Sequence, residues 1–193
     1  MDLSWGDEKT VQFITNVGLI TSKGKYGDNI MAAEWTHHIS YKPGLIAVCI
    51  GHNKATAENI KKTKVFGISL ASTEQSTLAS VSGGSSGKEI DKIKALEELD
   101  FKFYKAKKIN VLMVQDAVLN MECRLIKKIP LGDHTVFVGE ILEALLNKEK
   151  TPIAYHQLKY GTVSFNMQKP SDQERQKIKD IIEKHRKKGN ENL

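Results

Sequence analysis

The chain has 193 residues, 40% of them hydrophobic, which suits one domain with a real core and excludes wholesale disorder. Its net charge of +6 gathers in Lys61-Lys62, Lys107-Lys108 and the tail residues Lys184, Arg186, Lys187 and Lys188. No basic run interleaves with aromatics as a single-strand binder requires, so these charges read as solvated surface and no nucleic acid is expected as a partner.

In chain order, Val11–Thr21 is rich in β-branched residues and ends at the turn cluster Lys23-Gly24-Lys25-Tyr26-Gly27-Asp28-Asn29. Asn29–His38 reads as a second strand with small residues, Ala32 and Ala33, at its centre. After the turn Lys42-Pro43-Gly44, the continuous apolar run Leu45–Ile50 predicts a strand buried on both faces. Thr56–Lys64 reads as a short helix with Thr56 as its N-cap, and Val65–Ala71 as a return to strand. Ser72-Thr73-Glu74-Gln75 is a capping box that should open a helix reaching about Ser80. Ser82-Gly83-Gly84-Ser85-Ser86-Gly87 reads as a mobile loop, with Ser86 and Glu89 forming a second capping box before a further helix. In Val118–Ile126, Leu119, Met121, Cys123 and Leu125 alternate with Asn120, Glu122 and Arg124, which predicts one buried and one wet face. Thr135–Leu146 is another long strand, and the charged segment from Ser171 spaces Ile178, Ile181 and Ile182 as an amphipathic helix. The organisation expected is a mainly β domain over residues 1–170, an antiparallel barrel with a few helices, and a charged helical tail over residues 171–193.

The N-terminus lacks the basic-then-apolar pattern of a signal peptide, and no apolar run approaches the ~20 residues that span a bilayer. Cys49 and Cys123 are too far apart for a CxxC motif and read as buried hydrophobes in a reducing compartment. A cytoplasmic protein with no membrane partner is expected.

Three places could carry chemistry. Gly51-His52-Asn53-Lys54-Ala55-Thr56 joins a buried strand to a helix N-terminus, where unpaired N–H groups, the positive dipole end, Lys54 and a Thr56 hydroxyl could hold a monophosphate. An ordinary capped turn is the plainer reading, and the absence of G-x-x-x-x-G-K speaks against nucleoside triphosphates. His134 follows the tight turn Gly132-Asp133 at a strand end, and His156 precedes Tyr160-Gly161 near what could be the same opening. The six histidines show no zinc-ligand spacing, and no serine sits in a G-x-S-x-G elbow. In Ala32-Ala33-Glu34-Trp35, small side chains would let a flat ligand approach the backbone, although close barrel packing would also explain them.

Taken in order, these pieces resemble the flavin-reductase-like family. Asn29, Met31 and Trp35 match its N-x-M-T-x-S-W pattern, Gly44–Val48 its following strand, and Lys54 with Thr56 its basic-x-Thr element. Phe66-Gly67-Ile68-Ser69-Leu70 is similar to its F-x-V-N-L strand, and Ser86-Gly87-Lys88-Glu89-Ile90-Asp91-Lys92 to its S-G-R-x-x-D-K loop. Gly132-Asp133-His134 with Gly139-Glu140, and Leu158-Tyr160-Gly161, resemble its closing strands, so that the resemblance covers about residues 10–165.

The resemblance implies a six-stranded antiparallel FMN-binding split barrel of Greek-key type, forming a homodimer with FMN at the interface. Asn29, Met31, Ala32, Ala33, Glu34, Trp35 and Ser69 would lie along the flavin, and Asn53, Lys54 and Thr56 at its phosphate. Ser86 and Lys88 would close over it, with His134 as the catalytic candidate and Tyr160 nearby. The implied activity is NAD(P)H-dependent reduction of free flavin or a ferric chelate through FMN. The alternative is a non-catalytic FMN-binding electron carrier, flavoredoxin-like, served by a partner reductase. No metal is implied. Ala32, Glu34 and Ser69 depart from the family's Thr, Ser and Asn, and a carboxylate at Glu34 facing the ring would disfavour an anionic reduced flavin.

Overall fold

The computed structural model describes residues 1–186. Lys187, Lys188 and the end of the predicted 171–193 tail lie outside the described residues. The described chain forms two units, residues 1–163 and the segment from Ser164.

After a short 3-10 turn at Thr10–Gln12, the first unit runs β1 (Thr15–Asn16), β2 (Gly18–Gly24), β3 (Gly27–Ala33), β4 (Thr36–Tyr41) and β5 (Gly44–Gly51). Helix α1 (Ala55–Thr63) and β6 (Val65–Leu70) follow, then a 3-10 turn at Thr73–Gln75 leading into α2 (Ser76–Gly84). Next come α3 (Lys92–Glu98), β7 (Phe103–Lys105), β8 (Leu112–Val114), β9 (Leu119–Leu131), β10 (His134–Leu146), β11 (Ala154–His156) and β12 (Lys159–Gly161). The second unit carries α4 (Asp172–Lys184), whose predicted start is fixed by a Ser171–Glu174 capping box.

The main sheet has seven antiparallel strands in the order β3-β2-β6-β9-β10-β5-β4. Its two edge strands are consecutive in the chain, joined only by Glu34 and Trp35. Laid flat, seven strands would put those edges about 29 Å apart at normal strand spacing, whereas the three Cα steps from Ala33 to Thr36 reach at most about 11 Å. The sheet therefore curls on itself until its edges meet. The single predicted strand 29–38 is thus two strands, its first half on β2 and its second on β5, which turns an expected six strands into seven. Gly18 makes the kink possible: a Cβ there would lie 2.6 Å from Thr36 Oγ1 and 3.0 Å from the Ala33 carbonyl. Thr36 closes it by donating its hydroxyl to Ala33 O at 3.1 Å.

Strand alternation separates two cores. Ile20, Val48, Phe66, Ile68, Cys123 and Phe137 fill the interior of the curl, and Ile60 of α1 packs among them. Leu19 and Ile30 face the other way, onto Leu78 and Ala79 of α2 and Ile93 and Leu96 of α3. Burying a side chain of this size is worth about 1.5–3 kcal/mol, so both helices are anchored on the back of β2 and β3.

Several local expectations need correction. Strand β5 is fully buried only on the Ile46, Val48 and Ile50 face, while Leu45, Ala47 and Cys49 are half-buried. Thr56 is not the N-cap of α1; Lys54 occupies that position, and the Thr56 hydroxyl accepts instead from Asn29 Nδ2 at 2.8 Å. The Ser72–Gln75 capping box forms, but its helix continues to Gly84 and absorbs half of the predicted loop. Asp91, not Ser86, caps α3, accepting from the Lys94 amide. On β9, Asn120 and Glu122 are buried against expectation because each has hydrogen-bond partners waiting: Ser69 and the Val114 carbonyl for Asn120, and the Lys107 and Lys108 amides for Glu122.

Candidate functional site

The meeting of the sheet's edges opens a cavity of about 1080 Å³. One wall is the end of β3 and the kink, with Asn29, Met31, Ala32, Ala33, Glu34 and Trp35. Its floor is the β5–α1 junction, with Cys49, Gly51, Asn53, Lys54 and Thr56. The C-terminal end of α2 and the following turn, Ser82 to Gly87, face that floor, and Asp133 and His134 close one side.

The floor is built to receive an anion. α1 begins at Ala55 with no side chain among the described residues capping it, and the first amides of a helix lack intrahelical partners and carry the positive end of its dipole. Lys54 stands at that end, and Lys92 reaches the same region from α3. Lys92 is 2% exposed, and its ammonium donates to the carbonyls of Ser82 at 2.9 Å and Ser85 at 3.2 Å. Burial, and then the charge of Lys54, bring its pKa down to about 8. Ser82 is also buried beside the cavity, and its hydroxyl has no hydrogen-bond partner among the described residues. Two ammonium groups and an orphaned hydroxyl beside an uncapped helix are the donor set a phosphate monoester needs.

On the β3 wall the side chains of Ala32 and Ala33 are small, and a Cβ on Gly83 of α2 would lie 3.4 Å from the Ala32 methyl, a close approach that keeps both residues small. Glu34 is half-buried, and burial raises its carboxyl above the ordinary value. Cys49 is raised for the same reason. The Trp35 ring lies 4.8 Å from that of His134, tilted by 49°. His134 Nδ1 is 2.7 Å from Asp133 Oδ1, a hydrogen bond that holds the Asp133 carboxyl below its usual range. His52 donates to the His134 carbonyl at 2.6 Å and so ties the β5–α1 junction to the start of β10.

The residues singled out in the sequence divide accordingly. Asn29, Met31, Ala32, Ala33, Glu34, Trp35, Asn53, Lys54, Thr56, Ser86 and His134 come together around the cavity, as does His156. Ser69, Lys88 and Tyr160 are not among its lining residues. Ser69 is fully buried and donates to Asn120 Oδ1 at 2.5 Å. Lys88 pairs with Glu58 across the ring of Tyr26. Tyr160 packs on Tyr155 with ring centroids 5.4 Å apart. Lys92 and Ser82 were not singled out. Lys92 stands in the quoted S-G-K…D-K segment, but a lysine is so seldom buried that its composition pointed to solvent.

A flat-walled cavity ending in an anion cradle, set in a curled antiparallel sheet, is matched by what the chain is similar to. Residues 10–164 match the flavin reductase like domain. The chain belongs to that family. An uncharacterized protein of Archaeoglobus fulgidus is 35% identical over 114 residues, 59% of this chain and 63% of its own length, so the match spans less than two thirds of that relative. A ferric-chelate reductase (NAD(P)H) of the same organism is 28% identical over 148 residues, 74% of this chain and 84% of its own. Flavoredoxin from Methanosarcina acetivorans has the same fold, with a TM-score of 0.74 at 19% identity over 89% of this chain and 95% of that one.

Proposed function

We propose that this flavin reductase family member binds FMN in the cavity and acts as an NAD(P)H-dependent oxidoreductase that reduces free flavin or a ferric chelate. The observation that carries the reading is the anion cradle of Lys54, Lys92, Ser82 and the α1 N-terminus at one end of a cavity whose β3 wall carries only small side chains at Ala32 and Ala33. A phosphate monoester at the first and a flat ring along the second describe a flavin mononucleotide more closely than a dinucleotide, whose second phosphate and adenosine would need further donors. The curled sheet is then the split barrel of this reading.

When bound, flavin supplies the hydride and electron transfers itself. The chain's residues bind, orient and shield. Lys54 and Lys92 neutralise the phosphate, and the hydrogen bond between Asn29 and Thr56 holds the β3 wall to the first turn of α1. Trp35 and His134 border the ring site, with the His134 ring oriented through Nδ1 by Asp133. The proposed assembly is a homodimer with the flavin site at its interface. Edge strand β4 supports it, leaving Ile39 54% and Tyr41 84% exposed next to a Trp35 that is 53% exposed. Two free cysteines suit a reducing, cytoplasmic setting. Residues 1–170 would act as the flavin domain and the segment from residue 171 as an appended helix.

Glu34 favours a second reading, an electron carrier served by a partner reductase. A carboxylate at the cavity wall opposes negative charge on a reduced ring and would slow turnover with a nicotinamide donor. The absorption spectrum of the purified protein, then NADH and NADPH oxidation with riboflavin or ferric citrate as acceptor, separates the two. Bound FMN without turnover would leave the carrier, and a colourless protein that does not bind added FMN would overturn both. In Lys54→Ala/Thr56→Ala, FMN affinity should fall by about a hundredfold or more, the scale of two lost charged or hydroxyl contacts; unchanged affinity would place the phosphate elsewhere.

A further inference from the structure

The family match begins at residue 10, yet the cavity is also lined by Leu3, Ser4, Trp5 and Gly6. This segment is folded back by its own hydrogen bonds. The Asp7 amide donates to Ser4 O at 3.1 Å, the Thr10 and Val11 amides donate to Asp7 O, and the Thr10 hydroxyl donates to both Ser4 O and Asp7 O. It is also tied to the far side of the cavity: the Gln157 amide donates to Val11 O at 3.1 Å, and Thr15 pairs with Tyr155 in the small β1-β11-β12 sheet. Gly6 comes closest to Leu158 Cδ1, across the β11–β12 turn. The cavity's outer end is therefore aromatic and apolar, lined by Leu3, Trp5, Phe13, Tyr155 and Leu158, whereas its inner end is cationic. Trp5 lines it while remaining 77% exposed, so most of its indole has no packing partner among the described residues. At about 1080 Å³ the cavity also exceeds the ~300–1000 Å³ usual for one small ligand.

We propose that Leu3–Gly6, centred on Trp5, is a clasp on the outer end of the cavity that stacks against a second flat heteroaromatic reactant and sets which one is accepted. The inference rests on the flavin reading above, which fills the inner end. The second reactant shares one chemistry, a planar nitrogen heterocycle, but has two sources, the dihydronicotinamide donor or a free flavin acceptor. A specificity role predicts that removing the indole weakens this second reactant and spares the first.

The test uses the full chain and the variants Trp5→Ala and Trp5→Phe, with Kd for FMN from flavin fluorescence and KM and kcat for NADH and for riboflavin. Trp5→Ala should raise KM about tenfold for one of the two, the usual scale for losing an aromatic stacking partner, with kcat and the FMN Kd within about twofold and with Trp5→Phe recovering most of the loss. The reactant whose KM rises identifies the source. A readout independent of turnover is hydrogen exchange of the amides of residues 4–11, which should slow when NADH or riboflavin is added to the FMN-loaded protein. Unchanged KM values together with unchanged exchange would overturn the clasp, and so would a parallel loss of FMN affinity. Failure of the wild-type protein to bind FMN would instead overturn the flavin reading, and the two failures are told apart by that first titration.

Discussion

Lys92 allows a quantitative test of the cavity's inner end. Its ammonium is buried and close enough to Lys54 for burial and charge together to lower its pKa to about 8. A bound phosphate dianion opposes both effects, because a nearby opposite charge favours the protonated lysine. The bound protein then keeps its proton to higher pH than the free protein does. Below pH 8 both forms are charged and affinity is greatest; above it the free form loses its proton first, so Kd rises by up to tenfold per pH unit. A return to the reference value of 10.5 would amount to about 3 kcal/mol at ~1.36 kcal/mol per unit. The phosphate itself is fully ionised over this range, with its second pKa near ~6. Fluorescence titrations of FMN between about pH 7.5 and 9.5 should show Kd climbing by about tenfold or more, and Lys92→Met should bind more weakly at pH 7.5 with the slope gone. The stability of the FMN-free protein should move the other way. The unfolded lysine keeps its proton to 10.5 and the folded one only to about 8, so stability rises with pH across that window. A flat wild-type Kd, or the same slope in Lys92→Met, would refute the placement of Lys92 at the phosphate.

Glu34 gives a pH signature of opposite origin. Burial raises its carboxyl above 4.5, so ionising it costs folding free energy at neutral pH, and Glu34→Gln should raise Tm at pH 7 by an amount that vanishes below about pH 4.5; an equal gain at both pH values would show that burial of charge is not the cause. At Gly87, an added Cβ would fall on Asn29 Oδ1, the side chain that holds Thr56. Gly87→Ala should therefore cost about 1–3 kcal/mol, read as a Tm loss and a weaker FMN Kd. Gly84→Ala, where a Cβ meets nothing within 4 Å among the described residues, should leave Tm nearly unchanged.

The strand-rich order of the fold was legible because β2, β6, β9 and β10 each carry a run of β-branched or alternating residues long enough to outweigh local ambiguity. What was not legible was where a strand changes partners. Nothing in Asn29–His38 marks Glu34-Trp35 as a break, because no Gly or Pro is spent there; the permitting residue is Gly18, on the neighbouring strand. Thr56 and Asn120 failed for a related reason. Each has a polar side chain whose partner is far along the chain, Asn29 for one and Ser69 for the other, so that local rules assigned a cap and a wet face to groups that are buried and paired. Lys92 is the extreme case, since its burial depends on carbonyls exposed at the end of α2.

The kink between β3 and β4 links fold and site more closely than any single side chain. Between Ala33 and Thr36 the chain leaves β2 and joins β5, and a backbone that changes partners cannot pair continuously with either. The Trp35 carbonyl is retained by the Cys49 amide at 3.0 Å, and the Glu34 carbonyl by the Thr36 amide, also at 3.0 Å. Both residues, with Ala32 and Ala33 just before them, are left bordering the cavity at the seam. Helix α1 starts on the strand that receives the second half of the kink, which brings Lys54 to the same opening. The geometry that brings the sheet's edges together thus also sets a wall of small residues on β3 near an anion cradle at the end of β5. Changes at Gly18 that relax the kink would therefore disturb both together.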